Sequence, residues 1–89
     1  MTSPFEQQMS EPQPTTNLLT LKNGHSARIS SIEGGKQLVR RMLALGIRVG
    51  AEVNMLNHRG RSVVIQNAGT RVALGHGVAE KLLVEPLED

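Results

Sequence analysis

The chain is 89 residues long, with ten Lys and Arg against eight Asp and Glu, no cysteine and a single aromatic residue, Phe5. That length holds one small domain, whose core supplies about 3 to 5 kcal/mol of net stability. The absence of cysteine excludes disulfides, thiolate metal sites and cysteine nucleophiles, and it fits a reducing cytoplasm.

Residues 1–17, "MTSPFEQQMSEPQPTTN", carry three of the four prolines and no apolar periodicity. They read as a disordered leader, because such a composition cannot bury enough surface to offset ordering entropy. The segment has no basic cluster followed by an apolar stretch, as a secretory signal would, and no run in the chain nears the roughly 20 apolar residues of a membrane span. A soluble, cytoplasmic protein is the expectation, with an ordered domain over 18–89.

The domain opens with Leu18, Leu19 and Leu21. "SARISSIE" then sets Ala27, Ile29 and Ser31 against Arg28, Ser30 and Ile32, a period of two that predicts a half-buried strand. After Gly34-Gly35 the period changes. Leu38, Met42 and Leu45 fall at i, i+4 and i+7, which predicts a helix with those three packed inward and Lys36, Gln37, Arg40 and Arg41 outward. Gly35 is the expected N-cap. Gly46 stands where a left-handed residue would end the helix, and Gly50 where the chain turns into the next strand. Leu45, Gly46 and Gly50 are accordingly the predicted structural residues.

Four short apolar runs follow: "AEVNML", "RSVVIQN", "TRVALG" and "KLLVEP". Turn signals separate them at Asn57–Gly60 ("NHRG"), at Asn67–Gly69 ("NAG") and around His76. The alternating pairs are Val53 and Met55, Val63 and Ile65, Val72 and Leu74, and Leu82 and Val84. The predicted fold is mainly β: a small antiparallel barrel of about five strands, with one helix between the first and second strands.

Catalysis has little to stand on. Only Glu33, Glu52, Glu80 and Glu85 occur between Leu19 and Glu85, none paired with another, so no catalytic residue is assigned. His25, His58 and His76 each fall in a predicted loop or turn with no ligand-like spacing; His58 and His76, both near meander turns, are the weak candidates for a metal site, and no metal or cofactor is assigned. The glycines of "GIRVG" follow a helix instead of preceding one, so they form no phosphate loop.

All ten basic residues lie between Lys22 and Lys81, which makes the domain itself basic. Arg40, Arg41 and Arg48, with Arg59, Arg61 and Arg71, offer phosphate contacts, so non-specific RNA or DNA binding is the alternative function. Small barrels that bind single strands add aromatic stacking platforms, and this domain has none. Polyproline recognition is excluded on the same ground. Partner contact falls instead to Arg40, Arg41, Met42 and Arg48, or to a strand edge, which also admits a homo-oligomer.

The run "MLALGIRVGAEVNML", Met42 to Leu56, resembles the signature of the FeoA family, small cytoplasmic proteins of bacterial ferrous-iron uptake. The family pattern of a leucine, Leu-Gly-Ile, two variable residues, a glycine and an apolar strand is met by Leu43, Leu45-Gly46-Ile47, Gly50 and Val53. Downstream, Val72-Ala73-Leu74, Ala79 and Leu83-Val84 fill the places of the closing strands. Many members carry a Gly-Asp-Pro-like turn where this chain has His58 to Ser62. The resemblance implies an SH3-like barrel with an inserted helix. It also implies a non-enzymatic accessory role in iron transport, with the membrane GTPase and permease FeoB as partner.

Overall fold

The structure is a computed structural model that describes residues 15–87. The expected leader lies outside the described residues up to position 14; its last two positions, Thr16–Asn17, form a short strand, β1. A 3-10 turn at Leu18–Thr20 follows, capped by the Asn17 side chain, which accepts from the Leu19 N–H at 2.9 Å. Then come β2 (Ser26–Ile32), helix α1 (Gly35–Ala44), β3 (Glu52–Arg59), β4 (Ser62–Asn67), β5 (Thr70–Gly75), a single helical turn α2 (His76–Ala79) and β6 (Leu82–Pro86).

The six strands form one antiparallel sheet in the order β1-β6-β2-β3-β4-β5. The five long strands and the helix between the first two of them are those expected; β1 is an added edge. Alternation explains the packing. Ala27, Ile29, Val53, Met55, Val63, Ile65, Val72, Leu74, Leu82 and Val84 all point into one buried cluster, so the sheet coils around a single core. Leu18 and Leu21 enter that core from the 3-10 turn, Leu38 and Met42 from α1, and Ala79 from α2. The α2 turn packs on β4, β5 and the 3-10 turn. It thereby covers the space between the two edge strands, which do not pair with each other.

Two bulges change the expected facing. In β2, Ile29 lies opposite Val84 but Ser31 lies opposite Leu83, so one extra residue, Ser30, interrupts the ladder. One inserted residue reverses the side-chain parity. Ile32, expected on the face opposite Ile29, therefore sits across from buried Leu82 and packs on the core. In β3 the register shifts at Leu56, which brings His58 across from buried Val63. His58 is thus a strand residue and not a turn residue. Its Nε2 lies 2.9 Å from the Leu21 carbonyl, and because a carbonyl can only accept, Nε2 donates.

The β4–β5 hairpin pairs Asn67 with Thr70, leaving a two-residue loop. Ala68 (φ 53°) and Gly69 (φ 84°) both have positive φ, the sign pattern of the type I′ turn that matches strand twist. An alanine in that region costs about 1 to 2 kcal/mol, whereas asparagine tolerates it. Ala68→Asn should therefore stabilise the domain by about 0.5 to 1 kcal/mol and raise Tm by several degrees in a thermal melt. An unchanged or lowered Tm would contradict the assigned turn.

Candidate protein-contact face

The segment 40–50 begins on the last turns of α1. Gly34, not Gly35, is the N-cap, and it supplies no side-chain hydrogen bond. A Cβ on Gly34 would collide with the Leu38 side chain, so close packing of helix entry on the helix's own apolar face requires glycine there.

The other end is more tightly built. The Gly46 N–H donates to the Leu43 carbonyl at 2.9 Å and the Ile47 N–H to the Met42 carbonyl at 2.8 Å, with Gly46 at φ 83°. These two bonds define a Schellman cap, in which the residue past the left-handed position packs against the last helical turn. Ile47 and Met42, both fully buried, are that apolar pair. The third member of the expected helical stripe does not follow them: Leu45 occupies the C-cap position, the chain has left helical geometry, and its side chain is 44% exposed. Ile47 takes the core place expected of Leu45.

The cap is tied to the sheet by a polar side chain that the sequence reading passed over as a turn residue. Asn67, at the end of β4, is the one buried polar side chain among the described residues, and its Nδ2 donates to the Gly46 carbonyl at 2.8 Å. Beyond the cap, Gly50 (φ 95°) donates its N–H to the Ile29 carbonyl at 2.8 Å, and Ile29 donates back to Ala51 at 2.9 Å. Two incoming residues thus face one residue of β2, which starts the β2–β3 ladder.

Buried anchors at Met42, Ile47 and Asn67 leave the intervening side chains at the surface. Leu43, Leu45 and Val49 are the large apolar residues most exposed in the described chain, at 52%, 44% and 59%. Arg40, Arg41 and Arg48 are exposed among them. The expected contact set is therefore corrected at Met42, which is fully buried and contributes to the core. The exposed leucine of the helix flank, Leu43, and Val49 were legible only as apolar letters, because periodicity does not say which side of a cap they end on.

The histidines do not assemble. His25 is exposed in the turn before β2, His58 is committed through Nε2 to Leu21, and His76 opens α2 with its backbone N–H donating to the Arg61 carbonyl at 2.9 Å. Among the described residues no group of three or more His, Cys, Asp or Glu side chains stands close enough to hold a metal ion. No helix among them is long and apolar enough to cross a membrane.

Comparison with known proteins decides the family. The FeoA domain model matches residues 16–86. The chain belongs to the FeoA family. A relative from Methanocaldococcus jannaschii named Fe(2+) transport protein A is 28% identical over 67 residues, covering 75% of this chain and 82% of the relative. A crystal structure of an iron uptake regulatory protein (FeoA) superimposes with a TM-score of 0.77 at 26% identity, covering 83% of this chain and 99% of that one. The solution structure of FeoA from Chlorobium tepidum gives 0.76 at 25% identity, with 82% and 71% covered. A manganese-dependent transcriptional repressor shares the fold with a TM-score of 0.78 at 21% identity; this chain spans 85% of its own length and 38% of the repressor's. The SH3-like fold and a place in ferrous-iron transport are therefore those of the FeoA family.

The cap makes a graded forecast. Gly46→Ala should cost more than Gly50→Ala in urea denaturation. Both residues sit at positive φ, which costs about 1 to 2 kcal/mol for a residue with a Cβ, but only at Gly46 would the Cβ meet another group, Asn67 Nδ2 at 3.1 Å. Asn67→Ala should cost about 1 to 3 kcal/mol by leaving the Gly46 carbonyl unpaired. Equal losses at the two glycines would show that Asn67 does not hold the cap.

Proposed function

We propose that this protein is a non-enzymatic accessory protein of ferrous-iron uptake, acting in the cytoplasm by contact with the cytoplasmic GTPase part of a FeoB permease. The observation that carries the reading is the exposed face of segment 40–49, where Leu43, Leu45 and Val49 stand among three arginines. Surface leucines and valines held rigidly by a buried cap, beside cations, are the make-up of an interface centre with a charged rim. Membership of a family of small transport proteins supports a binding role over a catalytic one.

The charge on this face selects the partner's chemistry. Arginines at a rim speed encounter with an acidic surface and set its orientation, while the apolar side chains supply most of the affinity. RNA or DNA would use the arginines alone: the described domain offers no aromatic side chain for stacking, so such binding would be purely electrostatic and would collapse with salt.

Calorimetric titration of the permease's cytoplasmic GTPase domain with the full chain tests this. Leu45→Asp should weaken binding by roughly 10- to 100-fold, about 1.4 to 2.8 kcal/mol, without unfolding the domain. Arg41→Glu with Arg48→Glu should chiefly slow association and flatten its salt dependence. Wild-type affinity in both variants would remove this face from the interaction. Retention of affinity at high salt would also separate this reading from nucleic-acid binding.

A further inference from the structure

A groove adjoins the contact face at Arg40. It is an open cleft of about 350 Å³ between the end of β2 and the first turns of α1, lined by Ile32, Gly35, Lys36, Val39 and Arg40. The β2 bulge creates its floor by bringing Ile32 to the core side, and Gly35 keeps the entrance free because no side chain stands there. Val39 forms the apolar wall. Lys36 and Arg40, four residues apart on one helix face and both exposed, line the rim with two positive charges. The adjoining helix N-terminus has no capping side chain and no acidic residue in its first turn; the nearest acid in sequence, Glu33, is exposed and accepts from Ser31 Oγ at 2.9 Å.

An occupant for such a groove needs one large apolar group and acidic residues beside it. We propose that the chain's own N-terminal segment fills it, with Phe5 in the cleft and Glu6 facing Lys36 and Arg40. Residues 1–14 hold the only aromatic side chain of the protein, immediately followed by Glu6, with Glu11 beyond and no Lys or Arg among them. The segment is thus complementary in both apolarity and charge. The cleft is open to solvent, so it takes one face of an aromatic ring against Ile32 and Val39 and leaves the other exposed.

The sheet register sets the distance to be spanned. Thr16 lies opposite Val84, and Val84 opposite Ile29, so Thr16 is two strand spacings, about 10 Å, from Ile29. Ile32 is three residues further along β2, but the bulge leaves it two register steps on, about 7 Å. The resulting separation is about 12 Å, whereas the chain from Phe5 to Thr15 can extend to about 35 Å. The tether therefore reaches with slack, and a short tether holds a weakly binding segment at an effective concentration in the millimolar range. Arg40 belongs both to the groove rim and to the proposed permease contact. The docking itself does not depend on the identity of any partner.

Because the chain has no cysteine, Ser3→Cys provides a single attachment point for a nitroxide spin label on the full-length protein. Paramagnetic broadening should appear at the amides of residues 32–40, should be lost when Phe5→Ala is added, and should weaken with Lys36→Glu and Arg40→Glu. Broadening confined to residues near the label would overturn the proposal, as would broadening that persists undiminished in Phe5→Ala. A mixture of isotope-labelled chain without nitroxide and unlabelled chain with it should show no broadening in the groove; broadening there would mean that the segment binds a second copy, which also overturns docking within one chain.

Discussion

One hydrogen bond between a strand end and a helix end organises this domain. The Asn67 side chain, buried at the close of β4, donates to the carbonyl of Gly46, the left-handed residue that ends α1. A buried amide has to be paired to be tolerated, and here the pairing fixes where the helix stops relative to the sheet. From that point the Schellman bonds draw Ile47 against Met42, and the chain reaches Gly50 in position to pair with Ile29. The connection that closes the core is the same one that leaves Leu43, Leu45 and Val49 outside it.

This economy links fold to role. A small domain has little stability in reserve, and exposing three large apolar residues beside a well-formed core makes sense where another molecule covers them. Their backbone is held by buried anchors at both ends, so little conformational entropy is lost when they are contacted. The face is preorganised by the packing beneath it: Met42 and Ile47 are fully buried on either side of the exposed Leu43 and Leu45.

Much of the architecture was legible in the letters. Strict alternation located Val53 and Met55, Val63 and Ile65, Val72 and Leu74, and Leu82 and Val84 in the core, and all eight are buried. The glycine at position 46 marked the helix end because few other residues accept its backbone geometry. Where the reading missed, an inserted residue or a cap intervened. A bulge at Ser30 reversed the facing of Ile32, and β3, with a bulge at Leu56, ran on through the expected turn to put His58 on a strand; no local pattern announces a bulge. Leu45 kept helical spacing with Leu38 and Met42, but the helix ended one residue earlier. Ile47 inherited its place through the cap. Asn67 looked like a turn former, since nothing nearby in sequence indicates that its amide meets a carbonyl 21 residues away.

Hydrogen–deuterium exchange of the full chain, with and without the permease's cytoplasmic GTPase domain, shows whether the face held by the cap is the one that binds. The Ile47 amide, bonded to Met42, should be protected in the free protein. On addition of the GTPase domain, new protection should be concentrated in residues 44–49 and the adjoining turn of α1. Protection that appears instead along the free edge of β5, with 44–49 unchanged, would contradict the account.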